Sequence, residues 1–317
     1  MRGTVVVALG GNVLTAEGQA GTLEEQRENA RRMATAVARI VRAGWRTVLT
    51  HGNGPQVGNL AIQQEEGARL VPPLPLHVLV AMTQGQIGHV LGAAIANAIG
   101  EPVAVVVTHV EVDRDDPAFS APSKPIGPFF DPATARRLAR RRGWLVREDA
   151  GRGFRRVVPS PDPRAIVEAD AIAELVGRGF TVIAAGGGGI PVVRRGRRLE
   201  GVDAVIDKDL AAERLASGIG ADTLLLLTGV DHVAIDFGTA RERPLGEVTA
   251  AELRRYLDAG HFPAGSMGPK VLAAIRFVEA GGRRAIITSP RRALAALAGT
   301  HGTRVVLPAP VRLAEAP

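Results

Sequence analysis

The sequence predicts an α/β protein whose central sheet is mainly parallel. Three observations carry that expectation. Several short runs are continuously apolar and rich in β-branched residues, as in Thr4–Leu9 and Thr181–Ala185, the pattern of strands buried on both faces. Longer stretches with helical periodicity separate them, which is the alternation of an α/β fold. Several of the runs lead within two residues into glycine, which lines up loops along one edge of the sheet, where ligands of open α/β sheets bind.

Thr4–Leu9 is the first strand and breaks at Gly10-Gly11-Asn12. Glycines directly after a buried strand let the backbone approach a ligand and leave N–H groups available to an anion. The spacing is not G-x-G-x-x-G, so the dinucleotide fingerprint is absent. Leu23–Ala43 reads as a helix, with Met33, Val37, Ile40 and Val41 on one face, acids in its first turn and Gly44 as its stop. Trp45–Thr50 is a second strand, followed by His51-Gly52-Asn53-Gly54-Pro55-Gln56-Val57-Gly58 and a helix that starts at the same sheet edge. A His and an Asn between glycines suit turn chemistry as well as a site, and two such loops on adjacent strands point to a site.

A long helix, Leu76–Ile99, precedes a third strand, Val103–Val107. The stretch from Glu111 to Pro161 is the least regular, punctuated by seven prolines and containing one short helix near Asp131–Arg142. An insertion of this length in a compact domain suggests a lid or functional excursion, and it carries Lys124 on a proline-stiffened arm. Asp162-Pro163 is expected to start a helix running through Val176. The strand Thr181–Ala185 opens into Gly186-Gly187-Gly188-Gly189, four glycines whose conformational cost is best explained by close backbone contact with a phosphate. No Lys-Ser/Thr follows, so this is not a Walker-type loop. Gly201–Ile206 reads as a strand-like run that ends in Asp207-Lys208-Asp209 and enters a helix. Asp222–Leu227 is a further strand, entering Thr228-Gly229-Val230-Asp231. Thr249 opens a helix to Leu257, and Gly265-Ser266-Met267-Gly268-Pro269-Lys270 starts another to Glu279. Arg284–Thr288 and Arg304–Leu307 are the last strands, and no internal repeat is seen.

At 317 residues the chain suits one large domain or two lobes. There are no cysteines, which excludes disulfides, thiolate nucleophiles and Cys-based metal sites. The apolar run at the N-terminus is too short for a signal peptide, and Gln84, Gln86, His89 and Asn97 interrupt Leu76–Ile99, so the expectation is a cytoplasmic protein with no membrane partner. A net charge of +7 could mark a nucleic-acid partner. Aromatics are only 3%, however, which leaves few stacking platforms, and the arginine runs at 136–142 and 194–198 read as solvated faces.

The chain has 36 arginines and three lysines, so it uses arginine almost wherever a cation serves. Lys124, Lys208 and Lys270 stand out against that bias. Each sits in a Gly/Pro-rich or acid-flanked segment. Lysine is a compact charge on a flexible stem and can follow a moving phosphoryl group, which makes the three a candidate phosphate clamp. Lys270 falls in the first turn of its helix, where the dipole disfavours a cation unless an anion sits there.

Taken together, these loops resemble those of the carbamate kinases, members of the amino-acid kinase superfamily, over nearly the whole chain. The matching stretches are Ala8–Asn12, His51–Gly58, Pro122-Ser123-Lys124-Pro125-Ile126-Gly127-Pro128, Val157–Pro161, Gly186–Pro191, Val205–Asp209 and Gly265 through Lys270. The resemblance implies a three-layer α/β/α sandwich in two lobes. The acceptor would bind in residues 1–200, which contain a protruding subdomain at about 111–160, and the nucleotide in residues 201–317. It implies reversible phosphoryl transfer between ATP and carbamate, giving ADP and carbamoyl phosphate, with Mg²⁺ carried by the nucleotide, in a homodimer. Such a reaction serves arginine, purine or another nitrogen-degradation route.

On the same resemblance Lys208 and Lys270 neutralise the transferring group and the nucleotide phosphates, Lys124 reaches over from the arm, and Asp209 orients the lysines. Gly10, Gly11, Asn12, Gly52 and Asn53, with Gly187 and Gly188, would hold carbamate and the transferred group. Thr228, Gly229, Val230, Asp231, Gly265, Ser266 and Met267 would meet the nucleotide, although Gly229, His232 and Ala234 depart from the family pattern beside the adenine. The alternatives are a related kinase acting on another small carboxylate or phosphonate, and a catalytically silent binding protein that keeps the fold.

Overall fold

The continuously apolar runs come together in one eight-stranded sheet. The computed structural model describes residues 2–10, 14–16, 18–149, 151–263 and 265–308. In chain order the elements are β1 (Thr4–Ala8), α1 (Leu23–Arg42), β2 (Arg46–Thr50), α2 (Gly54–Gly67), α3 (Leu76–Ile99), β3 (Val103–Val105) and β4 (His109–Val112). Next are β5 (Lys124–Phe130), α4 (Pro132–Arg142), β6 (Val146–Glu148), β7 (Phe154–Val158), β8 (Pro163–Ile166), α5 (Ala169–Gly177) and β9 (Thr181–Ile183). Then follow β10 (Ile190–Arg195), β11 (Arg198–Gly201), α6 (Lys208–Gly218), β12 (Thr223–Leu227), β13 (Ala234–Ile235), β14 (Arg243–Pro244) and β15 (Glu247–Thr249). The last are α7 (Ala250–Asp258), α8 (Met267–Glu279), β16 (Arg284–Thr288), α9 (Ala293–Leu297) and β17 (Thr303–Val306).

The main sheet runs β15-β17-β16-β12-β1-β2-β9-β3. Every pairing in it is parallel except β16 with β17. Alternate residues of β1 enter two different cores, Val6 and Ala8 on one face, Val5 and Val7 on the other. Helices α5, α6 and α8 cover the first face and α1, α3 and α9 the second, which makes the predicted three layers. Helix α3 is long and apolar enough to cross a membrane, yet Leu79, Ile87, Leu91 and Ile95 are buried inside the protein.

Four sequence expectations change. The Asp162–Val176 helix is two elements: Pro163–Ile166 forms an edge strand antiparallel to β4, and only Ala169–Gly177 is helical. Pro163 suits that edge because it has no N–H to offer a ladder. The Gly201–Ile206 run, beyond Gly201, belongs to no sheet, and only Ala204, Val205 and Ile206 of it are buried; the Val205 N–H donates to the Pro159 carbonyl at 3.0 Å. The third strand stops at Val105. The irregular stretch has structure of its own, with β5, β7 and β6 forming an antiparallel sheet and α4 beside it. A second small sheet, β11-β10-β4-β8, joins its base to the chain leading to α6.

Direct contact with α2 holds the protruding sheet in place. A Cβ on Gly58 would lie 2.0 Å from the Gly127 nitrogen, so backbone meets backbone there. Glu65 of α2 accepts hydrogen bonds from Arg142, Arg156 and the Trp144 indole, each at 2.9 or 3.0 Å. These contacts fix Lys124, the first residue of β5, relative to the main sheet.

Candidate active site

The three lysines meet across two aspartates. Asp207 caps α6, accepting from the Asp209 N–H at 2.9 Å, and its other oxygen pairs with Lys124 Nζ at 2.5 Å. Lys208 follows as the first residue of α6 and donates to Asp209 Oδ1 at 2.8 Å. Asp209 Oδ2 takes Lys270 Nζ at 3.1 Å, and Lys270 also reaches the Ser266 carbonyl at 3.3 Å. Lys208, Asp209 and Lys270 are 7%, 2% and 8% exposed, so the charges face one another out of bulk water. With all five groups ionised the cluster carries one positive charge in excess. The anion expected beside Lys270 at its helix start is therefore present, and it is the protein's own Asp209.

Burial pulls the Lys208 ammonium down, but Asp209 and Asp207 outweigh it and hold its pKa above the ordinary lysine value. Lys270 goes the other way: burial and the neighbouring Lys208 hold it below that value despite Asp209. Burial pushes the Asp207 carboxyl up, and Lys124 and Lys208 reverse this and keep it below the usual carboxylate range. A stable cation and a more labile one thus share one carboxylate. Asp207 is the residue that sequence reasoning undervalued. Its signal was there, as an acid at the helix cap two residues before Asp209.

The end of β2 forms the neighbouring wall. His51 is buried, its Nδ1 lies 3.0 Å from the Gly52 carbonyl, and burial lowers its pKa to about 4, so the ring is neutral near pH 7. Facing a carbonyl, Nδ1 carries the proton. Asn53 Nδ2 donates to Thr83 Oγ1 at 2.9 Å. Asn53 precedes α2 without capping it through its side chain.

The glycine run after β9 fits against these groups. Cβ atoms on Gly186, Gly187 and Gly188 would lie 2.4, 2.3 and 2.4 Å from His51 Nε2, Asn53 Nδ2 and the Ile206 carbonyl. Gly187, Gly188 and Gly189 also have φ of +66°, +88° and +86°. Their N–H groups donate to the carbonyls of His51, Ala185 and Gly186. Contact with protein atoms and left-handed backbone explain why these positions are glycine, and Gly187 and Gly188 shape the wall with their N–H groups donating within the protein. Ala185, just before them, holds φ of +50° between hydrogen bonds from Thr50 Oγ1 and to Thr108 Oγ1.

Gly10, two residues past the end of β1, lines a cleft of about 450 Å³ together with Leu227, Thr228, Arg32, Arg39 and Arg291. Gly11 and Asn12 lie outside the described residues. Gly229 is exposed, Val230 partly so, and Asp231 pairs with Arg292 at 3.4 Å. Gly265, Ser266 and Met267 make the turn into α8. Among the described residues no hydrogen bond joins residues 228–231 to the lysine cluster, whereas Ser266 reaches it through Lys270.

Residues 3–289 match the model of the amino acid kinase family. The carbamate kinase of Thermococcus kodakarensis is 55% identical over 310 residues, covering 95% of this chain and 98% of that protein. The carbamate kinase of Giardia lamblia bound to citric acid superposes with a TM-score of 0.92 at 44% identity, covering 96% of this chain and 98% of that one. The same enzyme bound to AMP-PNP gives 0.86 at 45% identity, with 96% and 98% covered.

Proposed function

The chain belongs to the amino acid kinase family, and from that premise we propose that it is a carbamate kinase, moving a phosphoryl group reversibly between ATP and carbamate. The observation that carries the proposal is the Lys124-Asp207-Lys208-Asp209-Lys270 cluster. Phosphoryl transfer needs positioning and neutralisation of charge on the equatorial oxygens more than covalent chemistry from the protein. Lys208, kept charged by two carboxylates, and Lys270 meet the phosphates, while Lys124 completes the clamp from the protruding sheet. Carbamate is already an oxyanion, so the step needs no general base; His51, neutral and packed against Gly186, is suited to shaping the wall. Gly10, Gly52 and Asn53, with Gly11 and Asn12, hold the acceptor. Thr228 through Asp231 and Gly265 through Met267 meet the nucleotide.

Among the described residues no three His, Asp or Glu side chains converge on a point. Asp207 and Asp209 are committed to lysines, so the donor set fits a Mg²⁺ held mainly by the nucleotide phosphates. Such an ion supplies further neutralisation of phosphate charge. Residues 1–200 and 201–317 act as acceptor and nucleotide lobes, meeting where β1 pairs with β12. A second copy pairs along the open β3 edge, where Val105 and the nearby Phe180 are each 41% exposed. The protein works in the cytoplasm, where ATP and ADP are available.

The test is acceptor selectivity. With ATP and Mg²⁺, the proposal expects ADP release to depend on carbamate and not on acetate, glutamate or phosphonoacetate. Equal stimulation by one of those acceptors contradicts it.

A further inference from the structure

Helix α3 packs against the glycine run that follows β9, and its buried side is apolar except at one point. Of the residues of α3 buried in the fold, only Thr83 and Gln84 carry polar side chains, and they are 0% and 2% exposed. Burying a polar side chain is unfavourable unless it finds partners, so two side by side in an apolar helix call for a reason. Each is engaged with a different part of the wall beside the lysine cluster. Thr83 Oγ1 donates to the Val80 carbonyl at 2.6 Å, one turn back in the helix, and accepts from Asn53 Nδ2 at 2.9 Å. Gln84 makes two bonds to a single residue: its Oε1 accepts from the Thr108 N–H at 2.8 Å and its Nε2 donates to the Thr108 carbonyl at 2.9 Å. The stem of Gln84 also lies on the glycine run, since a Cβ on Gly186 would stand 3.3 Å from Gln84 Cγ.

Thr108, itself fully buried, closes the loop that contains the four glycines. Its Oγ1 accepts from the Ala185 N–H at 3.0 Å, just before Gly186, and its carbonyl accepts from the Ile190 N–H at 2.8 Å, just after Gly189. The Thr108 hydroxyl proton goes to the Val106 carbonyl at 2.9 Å, which leaves the oxygen lone pairs for Ala185. Ala185 has φ of +50°, a left-handed conformation that a residue other than glycine keeps only where its surroundings hold it. Thr108 is one hold, and Thr50 Oγ1, donating to the Ala185 carbonyl at 2.8 Å, is the other.

We propose that Thr83, Gln84 and Thr108 are positioning residues for the acceptor. Thr83 orients Asn53, while Gln84 and Thr108 hold both ends of the Gly186–Gly189 loop, so that its backbone shapes the wall beside His51 and Asn53. The inference rests on the carbamate kinase reading, in which Asn53 holds the acceptor. Among the described residues none of the three bonds to Lys208, Asp209 or Lys270, so their loss is felt at the acceptor before the nucleotide.

Steady-state ATP formation from ADP and carbamoyl phosphate with Mg²⁺, with ADP affinity measured separately by calorimetry, tests it. Thr108→Val keeps the shape and removes the hydroxyl, and Thr108→Ser keeps the hydroxyl. In Thr108→Val the KM for carbamoyl phosphate is expected to rise at least fivefold while ADP affinity stays within twofold. Thr108→Ser should stay within twofold of the parent in both. Gln84→Met, which keeps the stem and loses both bonds, should reproduce the valine effect. A general loosening of the fold would lower stability without selecting one substrate. If Thr108→Val does not fold, Thr83→Ala compared with Thr83→Ser carries the same test through Asn53. An unchanged carbamoyl phosphate KM in the folded variants, equal loss for both substrates, or a serine variant as impaired as the valine one would overturn this inference alone. No ATP formation by a folded, ADP-binding parent would overturn the carbamate kinase reading and this inference with it.

Discussion

The Asp209 carboxylate accepts Lys270 Nζ at 3.1 Å across 61 residues of chain, and it does so while its other oxygen holds Lys208. One anion thus positions two buried cations from different helices. Replacing Asp209 with Asn keeps the shape and removes the charge. Breaking one partner of a buried charge cluster costs about 3–5 kcal/mol. The variant should unfold at correspondingly lower denaturant and lose about 10²-fold or more in turnover. Because Asp209 supports the already lowered pKa of Lys270, the alkaline fall of activity should also begin at lower pH than in the parent. A pH–rate profile of both proteins checks this.

His51 predicts the acid side of the stability curve. Its pKa is about 4 in the fold against 6.5 when free, so between those values the unfolded chain binds more protons and stability falls as pH falls. A shift of that size corresponds to about 3 kcal/mol when pH has passed below the folded value. Asp207, also held below its ordinary value, adds a loss at still lower pH, below about 4. Denaturant unfolding at pH 7, 5.5 and 4.5 should show the decline, and His51→Gln should flatten it.

Gly58 tests whether the protruding sheet matters through its position. A Cβ there collides with the Gly127 nitrogen at 2.0 Å. Gly58→Ala should push the sheet, and Lys124 with it, away from Asp207. Turnover is expected to fall about tenfold or more, since misplacing a catalytic group by about 1 Å has effects of that order or greater. ADP affinity should stay within about twofold, because α6 and α8 are not disturbed. Parallel loss of both quantities would contradict the assignment of Lys124 to the clamp.

How far the sequence could be read depended on the range of the interactions. The strands β1, β2, β9 and β12 are local patterns, largely apolar or β-branched runs followed within three residues by glycine, and they form where expected. The three lysines stood out by composition and do converge. Pro163–Ile166 has the local pattern of a helix start, because nothing within it announces β4, its partner more than fifty residues earlier. The importance of Asp207 depends on Lys124, 83 residues away. The glycine run is costly on sequence grounds alone, whereas its close packing on His51, Asn53 and Ile206 exists only in three dimensions.

The account turns on Lys208 as the central charge of the clamp. The most direct measurement is ATP formation from ADP and carbamoyl phosphate with Mg²⁺, for the parent and for Lys208→Met, each shown to be folded and to bind ADP. Robust ATP formation by the parent, reduced by orders of magnitude in the variant, is the predicted result. Near-normal ATP formation by the variant, or none from a folded, ADP-binding parent, would contradict it.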